Sequence, residues 1–491
     1  MGVPMPSIAI IGSGFGGLAA AITLLHNGIT DITVFERSTD VGGVWRENAY
    51  PGAACDVPSP YYSFSFAPNP YWPRRYAPQS SILDYLRRVA DLYGVRDRIE
   101  FNTAVTAATF DSESNEWVLE TDKGTRRFDV LVPAVGQLSQ PTLPTIPGIE
   151  TFRGPAFHTA HWDPTVDLAG KNVAVVGTGA SAIQVVPQIQ PTVAALTVFQ
   201  RSPTHIAPRP DRGFGAVHQW LHRIPLTDRP RRGFWKIATE ALTAALHYSP
   251  AATRALQAML FAYMRVQAGA DRALFDKLWP DHPIGCKRIL FSNNYIPALK
   301  AANTTLETDP ITEIVADGIV TATGRHHKVD VIVYGTGFAA TEFLAPLTIT
   351  GVDGTDLTEA WRDGARAYLG MTVPGFPNMF IVYGPNTNLG SGSIVAMLEC
   401  QAHYLTEAVQ HLQSGAAFDV YPGVEATYDR ELQLRLGRSV WAGCDSWYRA
   451  ESGRVVSNWP GTIAEYRRRT NAFDVTHYAV RAGMPAPQTS H

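Results

Sequence analysis

The sequence has few cysteines, little net charge and no long uninterrupted apolar run. Its 491 residues carry a formal net charge of −3, which gives no general attraction to nucleic acid or to an anionic membrane. The four cysteines (Cys55, Cys286, Cys400 and Cys444) lie far apart and form no CxxC pair. That spacing disfavours a disulfide framework and a zinc site and fits a reducing cytoplasm, and it gives no basis for predicting a metal site.

Targeting and membrane-spanning patterns are also lacking. Residues 1–15 run directly into an apolar strand and a glycine loop, which leaves no room for a signal peptide. Pro6 stands where a myristoylation motif needs Ser or Thr. The most apolar helical stretch, residues 241–264, contains Pro250 and Arg254, so no membrane span is expected. The sequence thus predicts a cytoplasmic protein.

A repeated segment stands out in what the sequence does contain. A length of 491 residues, of which 45% are hydrophobic and 17% charged, is typical of a globular chain with two or more domains. Residues 7–38 and 172–202 each predict a buried strand, a glycine turn, an amphipathic helix and a second strand. Each copy carries the motif GxGxx(G/A), at Gly12, Gly14 and Gly17 and again at Gly177, Gly179 and Ala182.

The glycine motif suits the binding of a dinucleotide. Its first glycine permits a tight turn, and its second lets a pyrophosphate approach the backbone at a helix N-terminus, where free N–H groups and the helix dipole favour an anion. A lone motif of this kind also occurs as a plain glycine turn in other α/β proteins. Because it follows a strand, precedes a helix and recurs here, two dinucleotide-binding sites are predicted.

The two copies end in nearly the same six residues, TVFERS and TVFQRS. An acid at this position accepts hydrogen bonds from ribose hydroxyls and repels a ribose phosphate, so Glu36 favours FAD or NAD in the first copy. Gln200 with Arg201 favours NADP in the second, since a guanidinium binds phosphate bidentately. Arg201 could also be a solvated surface residue, and Arg37 occupies the same place in the first copy. The loss of the acid therefore carries more weight than the arginine.

These elements predict an α/β fold with two Rossmann-like dinucleotide-binding domains, for FAD and NADP, and an inserted helical lobe. Residues 126–141 and 326–341 are interpreted as the returning strands of the two domains, and VTAATF and EWVLET predict a small β-meander. The aromatic and methionine side chains of the insertion either line a substrate entry or, as favoured, pack as core. The predicted limits are 1–145 (FAD domain, first part), 146–213 (NADP domain, first part), 214–284 (helical insertion), 285–340 (NADP domain, second part) and 341–491 (FAD domain, second part, with the C-terminal region).

Two longer motifs resemble those of the type I Baeyer–Villiger monooxygenases, which are class B flavoprotein monooxygenases. FRGPAFHTAHWD matches the family fingerprint FxGxxxHxxxW, and GGVWRENAYPGAACD matches a second family pattern. The resemblance covers nearly the whole chain. It implies an NADPH-dependent, FAD-containing monooxygenase that inserts one oxygen atom of O2 next to a ketone carbonyl, through a peroxyflavin, to give an ester or lactone. The fingerprint residues, which the resemblance implies couple the domains, are Phe152, Gly154, His158, Trp162 and Asp163.

The implied chemistry needs a fixed positive charge beside an oxygen anion from which water is excluded. An arginine suits this role because it keeps its proton at any working pH. By resemblance, Arg288 is the catalytic arginine, Asp56 is the carboxylate that orients it, and Lys287 helps to bind the ribose phosphate of NADPH. A Lys-Arg pair is also common as a solvated surface pair.

The glycine motifs and the resemblance together assign residues to both cofactors. Expected at FAD are Gly12, Ser13, Gly14, Phe15, Gly17, Glu36, Gly43, Val44, Trp45, Cys55, Asp56, Tyr62, Val105 and Ile394. Expected at NADP are Gly177, Thr178, Gly179, Ala180, Ser181, Ala182, Gln184, Arg201, Ser202, Lys287, Arg288 and Trp447. The segment after Trp447 departs from the glycine-rich stretch of well-known family members, which leaves the loop geometry and the substrate range open.

Other classes of function remain open on the sequence. A flavin-dependent N- or S-monooxygenase shares much of the pattern, although such enzymes usually lack the fingerprint tryptophan. A disulfide or NAD(P)H oxidoreductase of the same architecture would need a CxxxxC pair, which does not occur. A flavin-binding protein without activity would not need the second nucleotide site. The expected partners are a small ketone or heteroatom substrate and O2, with no nucleic acid and no membrane; the particular substrate and the oligomeric state are not specified.

Overall fold

Two parallel sheets organise the molecule, each built around one copy of the repeated motif. The structure is a computed structural model, and it describes residues 5–413, 415–444 and 447–481. In the first copy, β1 (Ile8–Ile11) leads through a glycine turn into α1 (Phe15–His26), and the chain returns in β2 (Ile32–Phe35). All of β1 is buried, as expected for a parallel strand with both faces covered.

The first sheet is completed by the segment that follows. Its elements are α2 (Val44–Glu47), α3 (Gln79–Leu92), β3 (Ile99–Glu100), β4 (Val105–Asp111), β5 (Glu116–Thr121), β6 (Gly124–Phe128) and β7 (Val130–Pro133). The strand order is β3-β2-β1-β7 with every pair parallel, and β4, β5 and β6 form an antiparallel meander. The predicted returning strand and the predicted meander are both confirmed.

The second sheet repeats this plan. Its first elements are β8 (Ala156–His158), β9 (Asn172–Val176), α4 (Ala182–Ile189), β10 (Ala195–Phe199) and β11 (Ile206–Ala207). After the insertion come β12 (Leu290–Phe291), α9 (Tyr295–Leu299), β13 (Thr304–Glu307), β14 (Ile311–Val315), β15 (Gly318–Thr321), β16 (His326–Lys328) and β17 (Val331–Tyr334). The parallel order is β13-β10-β9-β17-β8, with β17 as the predicted returning strand. The sequence did not predict the antiparallel meander β14-β15-β16.

The insertion is helical, as predicted. It contains α5 (Ala216–Leu221), α6 (Pro225–Tyr248), α7 (Pro250–Ala268) and α8 (Arg272–Leu278). Met264 is fully buried, which agrees with the expectation that the large side chains pack as core. That expectation is wrong for Phe234, Met259 and Phe261, which are 62%, 50% and 44% exposed. Phe261 nevertheless packs edge-on against Phe275 and Trp279, at 5.1 Å and 5.0 Å.

The C-terminal segment returns to the first sheet. Its elements are β18 (Thr348–Thr350), α10 (Leu357–Ala360), α11 (Ile394–His411), β19 (Ala417–Val420), α12 (Pro422–Leu436), α13 (Ile463–Arg469) and β20 (Tyr478–Arg481). Strand β18 pairs in parallel with β4, and α11 packs against α1 in a shared apolar core. Among the described residues, no helix has the length and apolarity needed to cross a bilayer. The exact domain limits stay a prediction.

Candidate active site

A large cavity of about 1970 Å³ runs past both glycine turns. It lies at the carboxyl ends of β1 and β9, which is where open parallel sheets bind ligands. Its wall also includes Asp56, Arg288, Ile394 and Trp447, which come from four separate parts of the chain. The fold therefore brings both predicted cofactor sites and both predicted catalytic residues to one continuous space.

Nearly every predicted cofactor residue lines this cavity. The exceptions are Gly17 and Ala182, the last small residues of the two motifs. A Cβ on Gly17 would lie 1.8 Å from the carbonyl oxygen of Gly12, so glycine is needed there for the helix to approach the strand. Ala182 is fully buried at the start of α4. These two residues fit the role of packing helix against strand, while the others remain available to ligands.

The first glycine turn leaves its backbone open toward the cavity. Gly12 has a φ of +103°, and a Cβ there would lie 2.8 Å from the carbonyl oxygen of Ala134. The N-cap residue of α1 is Gly14, which has no side chain to accept a hydrogen bond from the first turn of the helix. The free N–H groups at the start of this 12-residue helix are therefore open to an anion.

Glu36 stands at the end of β2 as predicted, but it is already engaged. It is buried, and it accepts hydrogen bonds from Ser13 N (3.0 Å), Ser13 Oγ (2.6 Å) and Ser38 N (2.8 Å). A carboxylate offers about four acceptor positions. Because Glu36 also lines the cavity, one position remains for a ribose hydroxyl, and the protein donors hold the carboxylate in place for it.

The residues predicted to hold the flavin ring lie together on the same wall. Trp45 Nε1 donates to Tyr62 Oη at 3.2 Å, and the ring of Phe15 packs edge-on against Tyr62 at 5.2 Å. Gly43, Val44, Cys55, Val105 and Ile394 line the cavity with them. This largely apolar wall between two glycine-rich turns fits a flat aromatic ring.

The second copy ends in a cationic corner. Lys287 Nζ donates to Ser202 Oγ at 2.7 Å, and Thr178 Oγ1 donates to the carbonyl oxygen of Ser202 at 3.2 Å. Arg201 is exposed on the cavity rim. Gln200 is buried and donates to the carbonyl oxygen of Lys277 at 2.7 Å, so it brings no negative charge to the corner. Two cations with a hydroxyl between them fit a ribose phosphate.

Gln184 joins the two halves of the molecule. Its amide oxygen accepts from Tyr50 Oη at 3.0 Å, and its amide nitrogen donates to the carbonyl oxygen of Ala54 at 3.0 Å. The sequence placed Gln184 at NADP; the structure places it in the cavity wall with its side chain committed to the glycine–tryptophan motif. No sequence signal marked Tyr50 as its partner.

Arg288 and Asp56 form a bidentate ion pair across the two halves. Arg288 Nη2 lies 2.8 Å and 2.7 Å from the two carboxylate oxygens of Asp56, and Arg288 Nε lies 3.1 Å from one of them. The arginine side chain is 39% exposed, into the cavity. The charge of Asp56 raises the pKa of Arg288, so the guanidinium stays charged. Its Nη1 makes no hydrogen bond with a described residue and is open to a ligand oxygen.

Two tyrosines near Arg288 were missed by the sequence analysis. Tyr383 lines the cavity with a positive φ of 67°, and its hydroxyl donates to Asn388 Oδ1 at 2.8 Å. Tyr448 is buried, which raises its pKa to about 12 against the opposing charge of Arg288. The ring of Trp447 lies 4.2 Å from that of Tyr448 at an interplanar angle of 41°, and Trp447 is 40% exposed. A tyrosine in the left-handed backbone conformation is uncommon, and no sequence motif predicts it.

The fingerprint residues lie away from the large cavity. His158 ends β8 opposite Tyr334 of β17, and its Nδ1 accepts from Ala160 N at 3.1 Å. Burial, followed by the nearby His161, lowers the pKa of His158 to about 4. A Cβ on Gly154 would lie 2.3 Å from the carbonyl oxygen of Asp330, so this position requires glycine.

The remaining fingerprint side chains make local contacts. Trp162 packs edge-on against Phe157 at 5.1 Å, Asp163 caps a turn by accepting from Thr165, and Phe152 packs in the core of the second sheet. Trp162 also lines a small cleft together with Arg37 and Glu47 of the first half. This arrangement fits a coupling of domains and gives none of the five a place at the reacting atoms.

The expectation about the cysteines is wrong for one pair. Cys286 and Cys444, which are 158 residues apart, form a disulfide, while Cys55 and Cys400 are free and buried. Spacing along the chain cannot indicate a contact that only the tertiary fold creates. Trp441 Nε1 also donates to the carbonyl oxygen of Gly285 at 3.1 Å, which brings the same two segments together.

The fold and the cavity define an oxidoreductase with one flavin site and one nicotinamide site. The profile described as "FMO-like: Flavin-binding monooxygenase-like" matches residues 6–216. A protein of Streptomyces coelicolor named Baeyer-Villiger monooxygenase is 45% identical over 485 residues, which is 98% of this chain and 93% of that protein.

Solved structures agree along the whole chain. A structure of oxidised steroid monooxygenase bound to NADP is 31% identical, with a TM-score of 0.87 over 97% of this chain and 99% of that one. A structure of OTEMO in complex with FAD and NADP is 27% identical, with a TM-score of 0.87 over 98% of this chain and 100% of that one. The chain belongs to the Baeyer–Villiger monooxygenases among the flavin-binding monooxygenases.

Proposed function

We propose that the protein is an FAD-containing, NADPH-dependent monooxygenase that inserts one oxygen atom of O2 beside a ketone carbonyl to give an ester or lactone. The observation that carries this proposal is the bidentate pair of Arg288 and Asp56, which faces one cavity shared by both predicted nucleotide sites. Membership of the family supports the same reaction. When bound, FAD supplies the two-electron redox chemistry and the reaction with O2.

The role proposed for Arg288 follows from its charge and its geometry. A fixed cation at the wall of the cavity stabilises negative charge that develops on oxygen during the reaction. Asp56 holds the Nε–Nη2 edge of the guanidinium and so determines where the remaining N–H groups point. Removal of the Asp56 carboxylate would leave the guanidinium of Arg288 charged but no longer oriented toward the reacting oxygen.

The cofactor roles are proposed on the same basis. The turn from Gly12 to Phe15, with Glu36, is suited to the pyrophosphate and ribose of FAD, and the wall around Trp45 and Tyr62 is suited to its ring. The cationic corner of Arg201 and Lys287 is suited to the ribose phosphate of NADPH, with Trp447 at the rim of the cavity. The fingerprint segment would transmit the relative position of the two sheets.

The substrate is proposed to be a small-molecule ketone, and the second substrate is O2. A cytoplasmic location is proposed as well, because NADPH is regenerated inside cells.

Consumption of NADPH by the FAD-loaded enzyme against a panel of cyclic, linear and aryl ketones tests the function, with products identified by mass spectrometry. We expect ketone-dependent NADPH oxidation and products heavier than the ketone by one oxygen, labelled when ¹⁸O2 is supplied. A parallel panel of sulfides and amines separates the alternative chemistry. Formation of sulfoxides or N-oxides with no ester from any ketone would overturn the proposal.

A further inference from the structure

The Cys286–Cys444 disulfide joins the site to the C-terminal part of the chain. Cys286 directly precedes Lys287 and Arg288, the two cations assigned to the coenzyme and to the reacting oxygen. Cys444 ends the 3-10 turn Val440–Gly443. Both cysteines are nearly fully buried, and both line the cavity. A covalent bond therefore fixes the backbone next to both functional cations.

Noncovalent contacts also join these two segments. Trp441 Nε1 donates to the carbonyl oxygen of Gly285, and a Cβ on Gly285 would meet Val440 at 3.5 Å. A single neutral hydrogen bond contributes little net stability, since water can replace it. The disulfide adds to these contacts a covalent link that water cannot replace.

The other two cysteines provide a contrast. Cys55 and Cys400 are buried without a disulfide, and burial raises the pKa of each thiol. Within the part of the chain that the structure describes, only Cys286 and Cys444 both form a disulfide and line the cavity wall. Among the described cysteines, thiol–disulfide exchange can therefore begin only at the Cys286–Cys444 bond.

We propose that Cys286 and Cys444 are positioning residues whose disulfide holds Lys287 and Arg288 toward the cavity, so that the thiol–disulfide state sets coenzyme affinity and the coupling of NADPH oxidation to oxygenation. The coupling part rests on the proposed function; the affinity part does not. In the reducing direction, a dithiol gives two electrons and two protons to the disulfide and becomes a cyclic disulfide, while the enzyme gains two thiols.

The oxidising direction needs only hydrogen peroxide. The two thiols lose two electrons and two protons, and one peroxide molecule becomes two water molecules as the sulfur–sulfur bond forms. A monooxygenase that consumes NADPH without oxygenating a substrate releases hydrogen peroxide. Wasteful turnover by the dithiol form would therefore restore the disulfide, and with it the aligned cations.

The test uses the full-length FAD-loaded enzyme and three variants, Cys286→Ser, Cys444→Ser and the control Cys400→Ser. Digestion without reductant, followed by mass spectrometry, should give one cross-linked peptide pair that contains residues 286 and 444. Titration calorimetry with NADP+ should show binding weakened about fivefold or more by dithiothreitol, the low end of typical coupling between sites. The Cys400→Ser variant should respond like the parent protein.

The two serine variants should bind NADP+ as weakly as the reduced parent, and dithiothreitol should not change them further. Hydrogen peroxide released per NADPH should rise in parallel. The proposal would be overturned if the cross-linked peptide were absent after peroxide treatment, or if dithiothreitol did not change the affinity for NADP+. If no ketone is oxygenated but the affinity still follows the disulfide, the proposed function fails while this inference stands.

Discussion

The two nucleotide-binding halves share a backbone plan and differ in their charges. In the first, Glu36 is fixed by Ser13 and Ser38, and Arg37 is paired with Glu47 at 2.6 Å. In the second, Gln200 turns its amide toward the carbonyl oxygen of Lys277. No acid among the described residues forms an ion pair with Arg201. The same fold therefore offers an acceptor for hydroxyls in one half and a free cation in the other.

This difference teaches that coenzyme choice lies in side-chain partners more than in the glycine motif. Both arginines occupy equivalent positions after a strand, yet only Arg201 is left to a ligand, because Glu47 pairs with Arg37 while no described acid pairs with Arg201. The halves then meet at Arg288 and Asp56, one residue from each. The largest expected effects therefore lie at the meeting point, and smaller ones lie within each half.

Substitution Arg288→Ala removes the cation at the meeting point. We expect ester formation to fall by about a hundred- to a thousandfold, because a preorganised charge at the reacting oxygen is lost. FAD should remain bound, since its predicted site lies in the first half, and NADPH should still be oxidised with release of hydrogen peroxide. Product yield and peroxide yield per NADPH provide the measurement.

Asp56→Ala is the matched comparison for Arg288→Ala. It keeps the positive charge but removes the bidentate contact, so its loss of ester formation should be smaller. An Arg288→Ala enzyme that oxygenates ketones at the parent rate would refute the role of the arginine. Equal losses in both variants would show that orientation matters as much as charge.

Arg201→Ala tests the free cation of the second half. A charge-assisted contact with phosphate contributes about 1.5–3 kcal/mol, so we expect the KM for NADPH to rise about 10- to 150-fold. The KM for NADH should hardly change, because NADH lacks that phosphate. Arg37→Ala is the control, since its guanidinium is already paired with Glu47. Equal efficiency of the parent enzyme with NADPH and NADH would contradict the whole assignment.

Gln200→Glu makes the second half resemble the first. The new carboxylate would lose the donation to the carbonyl oxygen of Lys277 and would repel the ribose phosphate. Like charges near a protein surface repel by a few kcal/mol at most, and we expect about a tenfold loss of preference for NADPH over NADH. The reciprocal Glu36→Gln should weaken FAD retention and leave the coenzyme preference as it was. Steady-state kinetics and flavin release measure the two effects.

Local sequence determined much of this architecture. The strand, turn and helix of each half are contiguous in the sequence, so apolar periodicity and glycine spacing predicted them, together with the cavity residues in the two glycine turns. Contacts between distant segments could not be predicted in this way. The bond between Cys286 and Cys444, the contact of Gln184 with Tyr50 and the pairing of β18 with β4 each depend on the completed fold.

The smallest effect concerns His158, which has no counterpart in the first half. Burial lowers its pKa from an ordinary 6.5 to about 4 in the folded protein. The unfolded chain therefore takes up a proton as the pH falls through about 6.5, while the folded protein does not until about pH 4. Its contribution to stability is fully present above that window and is lost as the pH falls through it. The melting temperature should decrease on acidification, and the decrease should be about 2–4 °C smaller in His158→Gln than in the parent.

His205→Gln serves as the matched control, because burial lowers the pKa of His205 to about 4 as well, at a site away from the fingerprint. Melting curves measured at half-unit steps between pH 4.5 and pH 7.5 give the comparison; parallel curves for parent and His158→Gln would show that His158 takes up its proton equally in both states.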